Sequence, residues 1–380
     1  VPSPTHSDLP AASGGRRRPG RLAPVVGKAR KMLQDALADA GYPERVLVAC
    51  SGGPDSLALA AVAAYFGRRG HVDGHPVSVG AVVVDHQLQA GSAEVAAATA
   101  AALRELGLAP VQLRTVDVAH TGMGPEAAAR DARHAALEAA ADDTGAAAVL
   151  LGHTLDDQAE QVLLGLARGS GTRSLAGMRP ARGRLLRPFL GLRRADTLEI
   201  CAVEGLDPWH DPSNEDPAFA RSRTRVEVLP MLEEKLGPGV AESLARTAAI
   251  LQLDADYLED VANDTFARLQ ERTGTELSQD LSLPEAALRE LAPAIRFRVI
   301  AKAAAAVGGQ QPSYQRLLAA EALLRRQGSA GPVELPGGVS VYRLSLAQLS
   351  AAEQSAPAGV PREGARCGKL VFRPQKPPQE

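Results

Sequence analysis

From residue 22 onward, short apolar runs alternate with Ala-rich amphipathic stretches, and that rhythm leaves few folds open. The runs occupy 46–50, 79–84, 111–116 and 147–151, and helical periodicity fills 25–40, 55–66, 93–106, 125–142 and 155–167. Gly41 and Pro43 stop the first helical stretch and Gly107 the third. Pro125 opens the fourth, where its missing N–H is harmless. Strands alternating with helices predict parallel strands joined by crossovers, and strands this apolar suit a sheet covered on both faces. The expectation is an α/β fold with a parallel doubly wound sheet. In such sheets ligands bind beyond the carboxyl ends of the strands, near a switch in strand order. Ser51, Asp85 with His86, and Gly152 with His153 stand at three of those ends.

The alternation stops near residue 226. Residues 226–326 read as helices with breaks at 237–239, 273–274 and 308–309. Residues 333–346 read as a short β end, with Pro336, Gly337 and Gly338 as its turn. A chain of 380 residues predicts two folded units. They are expected at 23–235, holding the sheet, and at 236–350, a smaller mainly helical C-terminal domain. Disordered tails are expected at 1–22 and 351–380, where Pro, Gly and charge dominate. No apolar run reaches the ~18–20 residues that span a bilayer, and no apolar leader core is present, so no membrane partner is expected. Cys50, Cys201 and Cys367 form no CxxC pair, which argues against a zinc knuckle, a redox pair or a disulfide framework. A cytoplasmic setting is expected. The net charge of −2 argues against a chain that coats nucleic acid. Yet 165–194 holds eight arginines and no acid, a local excess able to attract phosphates.

Ser51, Gly52, Gly53, Pro54, Asp55 and Ser56 join the first strand directly to a helix. Two glycines let the backbone approach a ligand closely. The helix N-terminus offers N–H groups and the positive end of its dipole, and the serines add hydroxyls, so the turn suits a pyrophosphate-like anion. Asp55 is out of place beside phosphates unless it holds Mg²⁺ or caps the helix. The pattern is neither GxxxxGK[ST] nor GxGxxG. In 152–160 (GHTLDDQAE), Thr154 is a candidate cap, and Asp157 and Glu160 share a helix face at i,i+3. Paired carboxylates suit a substrate with an ammonium group, although acids at a helix N-terminus are favourable in themselves. His153 is a candidate phosphate contact or hydrogen-bond donor. Asp85 is a candidate ligand of Mg²⁺ or substrate, or else a turn residue. Arg130 reads either as a surface cation paired with Glu126 or Asp131, or as a buried arginine aimed at phosphate.

The segments SGGPDS (51–56), VDHQL (84–88), EAAARDAR (126–133), GHTLDDQAEQVLLGLARGSGTRSLAGM (152–178), LLRPFL (185–190), WHDPSN (209–214) and FARSRTRVEVLP (219–230) resemble, in order and spacing, the tRNA(Ile)-lysidine synthetases. These are PP-loop enzymes of the N-type ATP pyrophosphatase class, with an adenine nucleotide alpha hydrolase-like fold. The resemblance covers about 25–235 well and the later helical region loosely. It implies an ATP-dependent ligase that uses ATP and Mg²⁺ to join L-lysine to C2 of the wobble cytidine of a tRNA(Ile) with a CAU anticodon. The reaction passes through an adenylated cytidine and yields lysidine, AMP and pyrophosphate. It further implies that Ser51, Gly52, Gly53, Pro54, Asp55, Ser56 and Asp85 bind ATP, with Asp55 on the metal. Asp55, Arg130, His153 and Asp157 would surround the reacting groups, and Glu160 would help hold lysine. Arg168, Arg173 and Arg187, within the Arg168–Arg194 stretch, and Arg221, Arg223 and Arg225 would meet tRNA phosphates, with the C-terminal domain also binding tRNA. A homodimer is compatible with this reading. Ser174 and Ser222 depart from the family's usual Gly and Asn. The alternatives are another PP-loop enzyme acting on tRNA, such as a thiolase, which usually wants catalytic cysteines, and a nucleotide-binding module without catalysis.

Overall fold

The computed structural model describes residues 22–87, 91–116, 125–169, 171–211, 216–271, 280–326, 330–349 and 367–375. In chain order the elements begin with α1 (Pro24–Asp39), β1 (Arg45–Ala49), α2 (Pro54–Arg69), the small pair β2 (His71–Val72) and β3 (His75–Pro76), and β4 (Ser78–Asp85). Then come α3 (Ser92–Glu105), β5 (Val111–Thr115), α4 (Pro125–Thr144), β6 (Ala148–Leu151), α5 (Leu155–Ala167) and α6 (Thr172–Leu175). The short strands β7 (Ala181–Arg182) and β8 (Leu185–Leu186) precede α7 (Arg194–Glu204) and α8 (Ala220–Arg223). A π-helical stretch, Thr224–Val228, leads into α9 (Leu229–Leu236) and α10 (Val240–Glu271).

The main sheet has the order β5-β4-β1-β6-β8-β7, and its pairs are parallel except β7 with β8. Side chains alternate across it, as the two-residue period of a strand requires. Val46 and Val48 pack with α1, α2, α3 and α7 on one face, and Leu47 and Ala49 pack with Leu137, Ala140 and Ala141 of α4 on the other. The sheet is therefore doubly wound, as the apolar strands implied. The chain moves from β1 outward to β4 and β5, then returns to β6 on the opposite side of β1. The switch in strand order falls between β1 and β6, which fixes where a ligand crevice opens.

Contacts divide the chain at Ile250/Leu251, within α10, rather than at 235/236. The reason lies in packing: Leu229 of α9 and Ala241 of α10 form a buried cluster with Ala159 of α5, so the helices just past 235 belong to the first unit.

In the second unit, β9 (Leu281–Pro284), α11 (Glu285–Glu290), α12 (Pro293–Ala306) and α13 (Tyr314–Ala322) precede β10 (Ala330–Leu335), β11 (Val339–Leu344) and β12 (Lys369–Pro374). The predicted turn at 336–338 is present, with Gly337 and Gly338 at positive φ (82° and 74°). The unit is less purely helical than its sequence suggests, because β10-β11-β12-β9 form an antiparallel sheet. β12 corrects the expected tail at 351–380. It lies between β11 and β9, and Leu370 and Phe372 are fully buried. Of the expected tails at 1–22 and 351–380, residues 1–21, 351–366 and 376–380 lie outside the described residues. Among the described residues no helix is long and apolar enough to cross a membrane.

Candidate active site

Ser51 follows β1, Asp85 ends β4, Gly152 and His153 follow β6, and Arg187 follows β8, so the crevice is built from carboxyl ends. At Gly52 the turn adopts φ +84°, and a Cβ there would sit 2.5 Å from Thr99 Oγ1. Gly53 is the N-cap of α2, and it has no side chain to bond the N–H groups of that helix end. Pro54 fills the first helical position. The N-terminus of α2 is thus left for an anion. Ser56 plays a different part from the one its type suggests. Its hydroxyl donates to Gly53 O (3.0 Å) and accepts from Ser51 N (3.1 Å), which folds the turn back on itself. Trp209 N donates to Gly52 O at 3.0 Å, tying 206–211 to the same turn.

Gly152 joins the two halves of the crevice. A Cβ on it would lie 2.9 Å from Asp55 C, Asp55 O and Ser56 Cα, all backbone. Only glycine lets the end of β6 rest against the first turn of α2. Thr154 then begins α5. Asp157 Oδ2 accepts from Thr154 N at 2.8 Å, the reciprocal arm of a capping box.

Asp157 and Glu160 do share one face, and arginines of this same chain cover it. Arg221 Nη2 lies 2.9 Å from Asp157 Oδ1, and Arg221 Nε 2.9 Å from Glu160 Oε2. Arg225 Nε lies 2.7 Å from Glu160 Oε1, and its Nη2 3.4 Å from Asp157 Oδ1. Glu160 is wholly buried. Burial pushes the Asp157 pKa up, but Arg221 and Arg194 outweigh it and hold the carboxyl at about 2. Arg194 also lies on Asp55, with Nε 3.4 Å from Oδ2, while Thr197 Oγ1 bonds Asp55 Oδ1. Burial raises the Asp55 pKa, and Arg194 and Thr197 oppose that.

Arg221 and Arg225, expected on tRNA phosphates, lie on Asp157 and Glu160 in this structure. Within the Arg-rich stretch, Arg184 pairs with Asp142, and Arg193 pairs with Asp156 and Glu242. Those acids lie far away in sequence, which is why a window holding no acid looked uncompensated. Arg168, Arg173 and Arg223 are exposed. Arg223 also donates to Ala218 O at 2.9 Å.

A second group lies on the α4 side. Arg130 is exposed, whereas Arg133, one turn later, is partly buried. Burial, then Arg221 and Arg130, lower the Arg133 pKa, with Asp157 opposing. The sequence reading missed Arg133; its signal was its place four residues before the buried Leu137 on the sheet-facing stripe. Arg187 is buried, and its Nη1 donates to Arg179 O at 2.8 Å. Burial and the neighbouring Arg130, Arg182 and Arg133 lower its pKa to about 10. Burial brings His153 down to about 3, helped by Arg133, Arg187 and Arg221 and opposed by Asp157. Three buried polar atoms here, His86 Nδ1, His153 Nδ1 and Arg187 Nε, have no hydrogen-bond partner among the described residues. Buried polar groups are ordinarily paired, so such a set at strand ends leaves polar atoms able to meet a ligand. Asp85 is buried, and its Oδ1 accepts from Gln87 N at 2.9 Å, which shapes the turn after β4.

A phosphate-binding turn without lysine, at the switch of a parallel sheet, defines a PP-loop domain, and residues 26–232 match the PP-loop domain family. Residues 283–355 match the TilS substrate binding domain. A tRNA(Ile)-lysidine synthase of Leifsonia xyli subsp. xyli is 52% identical over 77% of this chain and 85% of its own. That of Salinispora tropica is 47% identical over 85% of this chain and 95% of its own. That of Thermobifida fusca is 48% identical over 83% and 94%. The chain belongs to the tRNA(Ile)-lysidine synthase family.

Proposed function

We propose that this crevice carries out the reaction of the family, ligating L-lysine to C2 of the wobble cytidine in the CAU anticodon of tRNA(Ile). The cytidine O2 attacks the α-phosphate of ATP and pyrophosphate leaves. The lysine ε-amine then attacks C2, the C2–O bond breaks, and AMP departs. Adenylation is needed because the C2 oxygen is otherwise a poor leaving group. The observation that carries this reading is the close packing of Gly152 on Asp55 and Ser56, which sets a phosphate turn beside a buried carboxylate pair.

Ser51, Gly52, Gly53 and the N-terminus of α2 would cradle the ATP phosphates, with Asp85 shaping the neighbouring wall. Pro54 and Ser56 set the turn rather than touch the ligand. Arg133, Arg187 and His153 would receive phosphate oxygens, which supplies partners for Arg187 Nε and His153 Nδ1. Arg130 lies at the edge of that group. His153 is held neutral, so its ring offers one N–H donor and one acceptor nitrogen to the bound nucleotide rather than a charge. Asp157 and Glu160 would bind that ammonium. Among the described residues no group of three His, Cys, Asp or Glu side chains could cage a metal. Mg²⁺ does not need a cage. It binds through one or two carboxylates together with substrate phosphates, and Asp55 at the phosphate turn fits that donor set. When bound it neutralises phosphate charge. Exposed Arg168, Arg173 and Arg223 would position the tRNA backbone, with the second unit adding surface, while base contacts in the anticodon loop select the tRNA. ATP, lysine and tRNA as substrates suit a cytoplasmic reaction.

The test is incubation with ATP, labelled lysine and a CAU-anticodon tRNA(Ile) transcript. Lysine appears in that tRNA and not in a transcript with another anticodon. ATP–pyrophosphate exchange without lysine incorporation would instead assign another PP-loop reaction, such as thiolation.

A further inference from the structure

One side chain spans the two halves of this crevice. Arg194, at the start of α7, is held in place by its backbone, whose N–H donates to Asp156 Oδ2 at 2.7 Å. Its guanidinium lies among three carboxylates: Nε 3.4 Å from Asp55 Oδ2, Nη2 3.5 Å from Asp157 Oδ1, and Nη1 3.6 Å from Glu160 Oε1. These distances are long beside the 2.7–2.9 Å of the shortest Arg221 and Arg225 contacts, so Arg194 is the loosest of the three arginines on this pair. Its side chain is 24% exposed, as is that of Arg225, and Arg221 is at 34%, so distance rather than exposure sets Arg194 apart.

The charges define what such an arginine does. Three guanidinium groups face Asp157 and Glu160, and Asp55 shares one of them. An arriving ammonium meets a pair already neutralised. An anion at the N-terminus of α2 changes that balance, because it lies beside Asp55 and draws Arg194 toward itself. Asp157 Oδ1 and Glu160 Oε1 then each lose a cation on the side facing the phosphate turn. The place so vacated lies between the turn and the carboxylate pair, where an amine must stand to attack a base adenylated at the turn.

We infer that Arg194 couples the two substrates: nucleotide at the phosphate turn withdraws its guanidinium from Asp157 and Glu160 and so opens the ammonium site to lysine. This rests on the proposed function above and adds an order of binding to it. Arg194 acts here as a positioning residue, not as a group that reacts. By linkage, lysine strengthens nucleotide binding by the same factor.

The experiment is titration of the full chain with lysine, with and without a non-hydrolysable ATP analogue and Mg²⁺, for the wild type, Arg194→Gln and Arg194→Lys. Circular dichroism melting checks that each variant is folded, and Arg194→Gln keeps the backbone bond to Asp156. In the wild type the analogue lowers the lysine Kd roughly tenfold, within the usual range of coupling between sites. In Arg194→Gln the two lysine affinities become equal. Arg194→Lys, which carries the charge but not the three-pronged geometry, restores part of the difference. Undiminished coupling in a folded Arg194→Gln, or a wild type that binds lysine equally with and without the analogue, overturns the inference. A wild type that binds no lysine in either condition overturns the lysine assignment itself, and this inference with it.

Discussion

Gly53 and Gly152 are the same residue in text and differ in what surrounds them. A Cβ on Gly53 meets nothing nearer than Ser51 Oγ at 3.6 Å, an ordinary contact, whereas one on Gly152 meets three backbone atoms at 2.9 Å. Gly53→Ala is therefore expected to melt as the wild type does while losing ATP affinity, because the methyl projects where phosphate approaches. Gly152→Ala is expected to lose both, with overpacking costing about 1–3 kcal/mol. Urea unfolding alongside nucleotide titration separates the two, and equal destabilisation by both variants would contradict this account. His153 allows a test by pH. Its pKa of about 3 lies below the 6.5 of an ordinary histidine, so the unfolded chain takes up this proton first. The stability it contributes is complete above pH 6.5 and is lost as pH falls toward about 3. NMR of the free protein should show His153 neutral through the neutral range, and an ATP analogue should move its pKa upward as phosphate charge arrives. A His153 that titrates near 6.5 in the free protein would remove it from a buried crevice.

At the scale of elements, legibility followed chain length and locality. The strands 46–50, 79–84, 111–116 and 147–151 were each long enough to show an apolar run, and the structure places β1, β4, β5 and β6 there. The pairs β2–β3 and β7–β8 are two residues each, too short for any period to register. β12 was lost because its apolar stretch is only Leu370, Val371 and Phe372, set among Pro, Lys and Gly; it becomes a strand only because β11 and β9 pair with it on both sides. The site divides the same way. Residues fixed by a local motif, such as Ser51, Asp55, His153, Asp157 and Glu160, were readable at strand ends. Partners brought from a distance were not: Arg221 and Arg225 reach Glu160 across more than sixty positions, and Arg194 reaches Asp55 across 139. A run of like charge in sequence carries no information about the acids that fold onto it.

At the scale of the whole molecule, the near-neutral charge and the arginine-rich middle are reconciled mainly by acids from elsewhere in the chain: Arg184 pairs with Asp142 and Arg193 with Asp156 and Glu242, while Arg168, Arg173, Arg179 and Arg182 stay exposed. The chain also keeps its hydrophobic residues in separate cores. The clusters around the main sheet draw on residues before 250, and the cluster around β9 to β12 draws on Ala262 to Phe372. A core defect in one unit should then stay in that unit. Phe372 is fully buried at the centre of the second sheet, and truncating such a side chain costs about 3–5 kcal/mol. Phe372→Ala is therefore expected to lose amide-exchange protection in β9, β10, β11 and α12, while β1, β4 and β6 exchange as in the wild type. ATP-analogue binding should persist in that variant, since every residue proposed to cradle phosphate precedes residue 250. Exchange that rises equally in β1 and β11 would show instead that the two cores unfold as one, and would make the second unit a structural support for the phosphate turn.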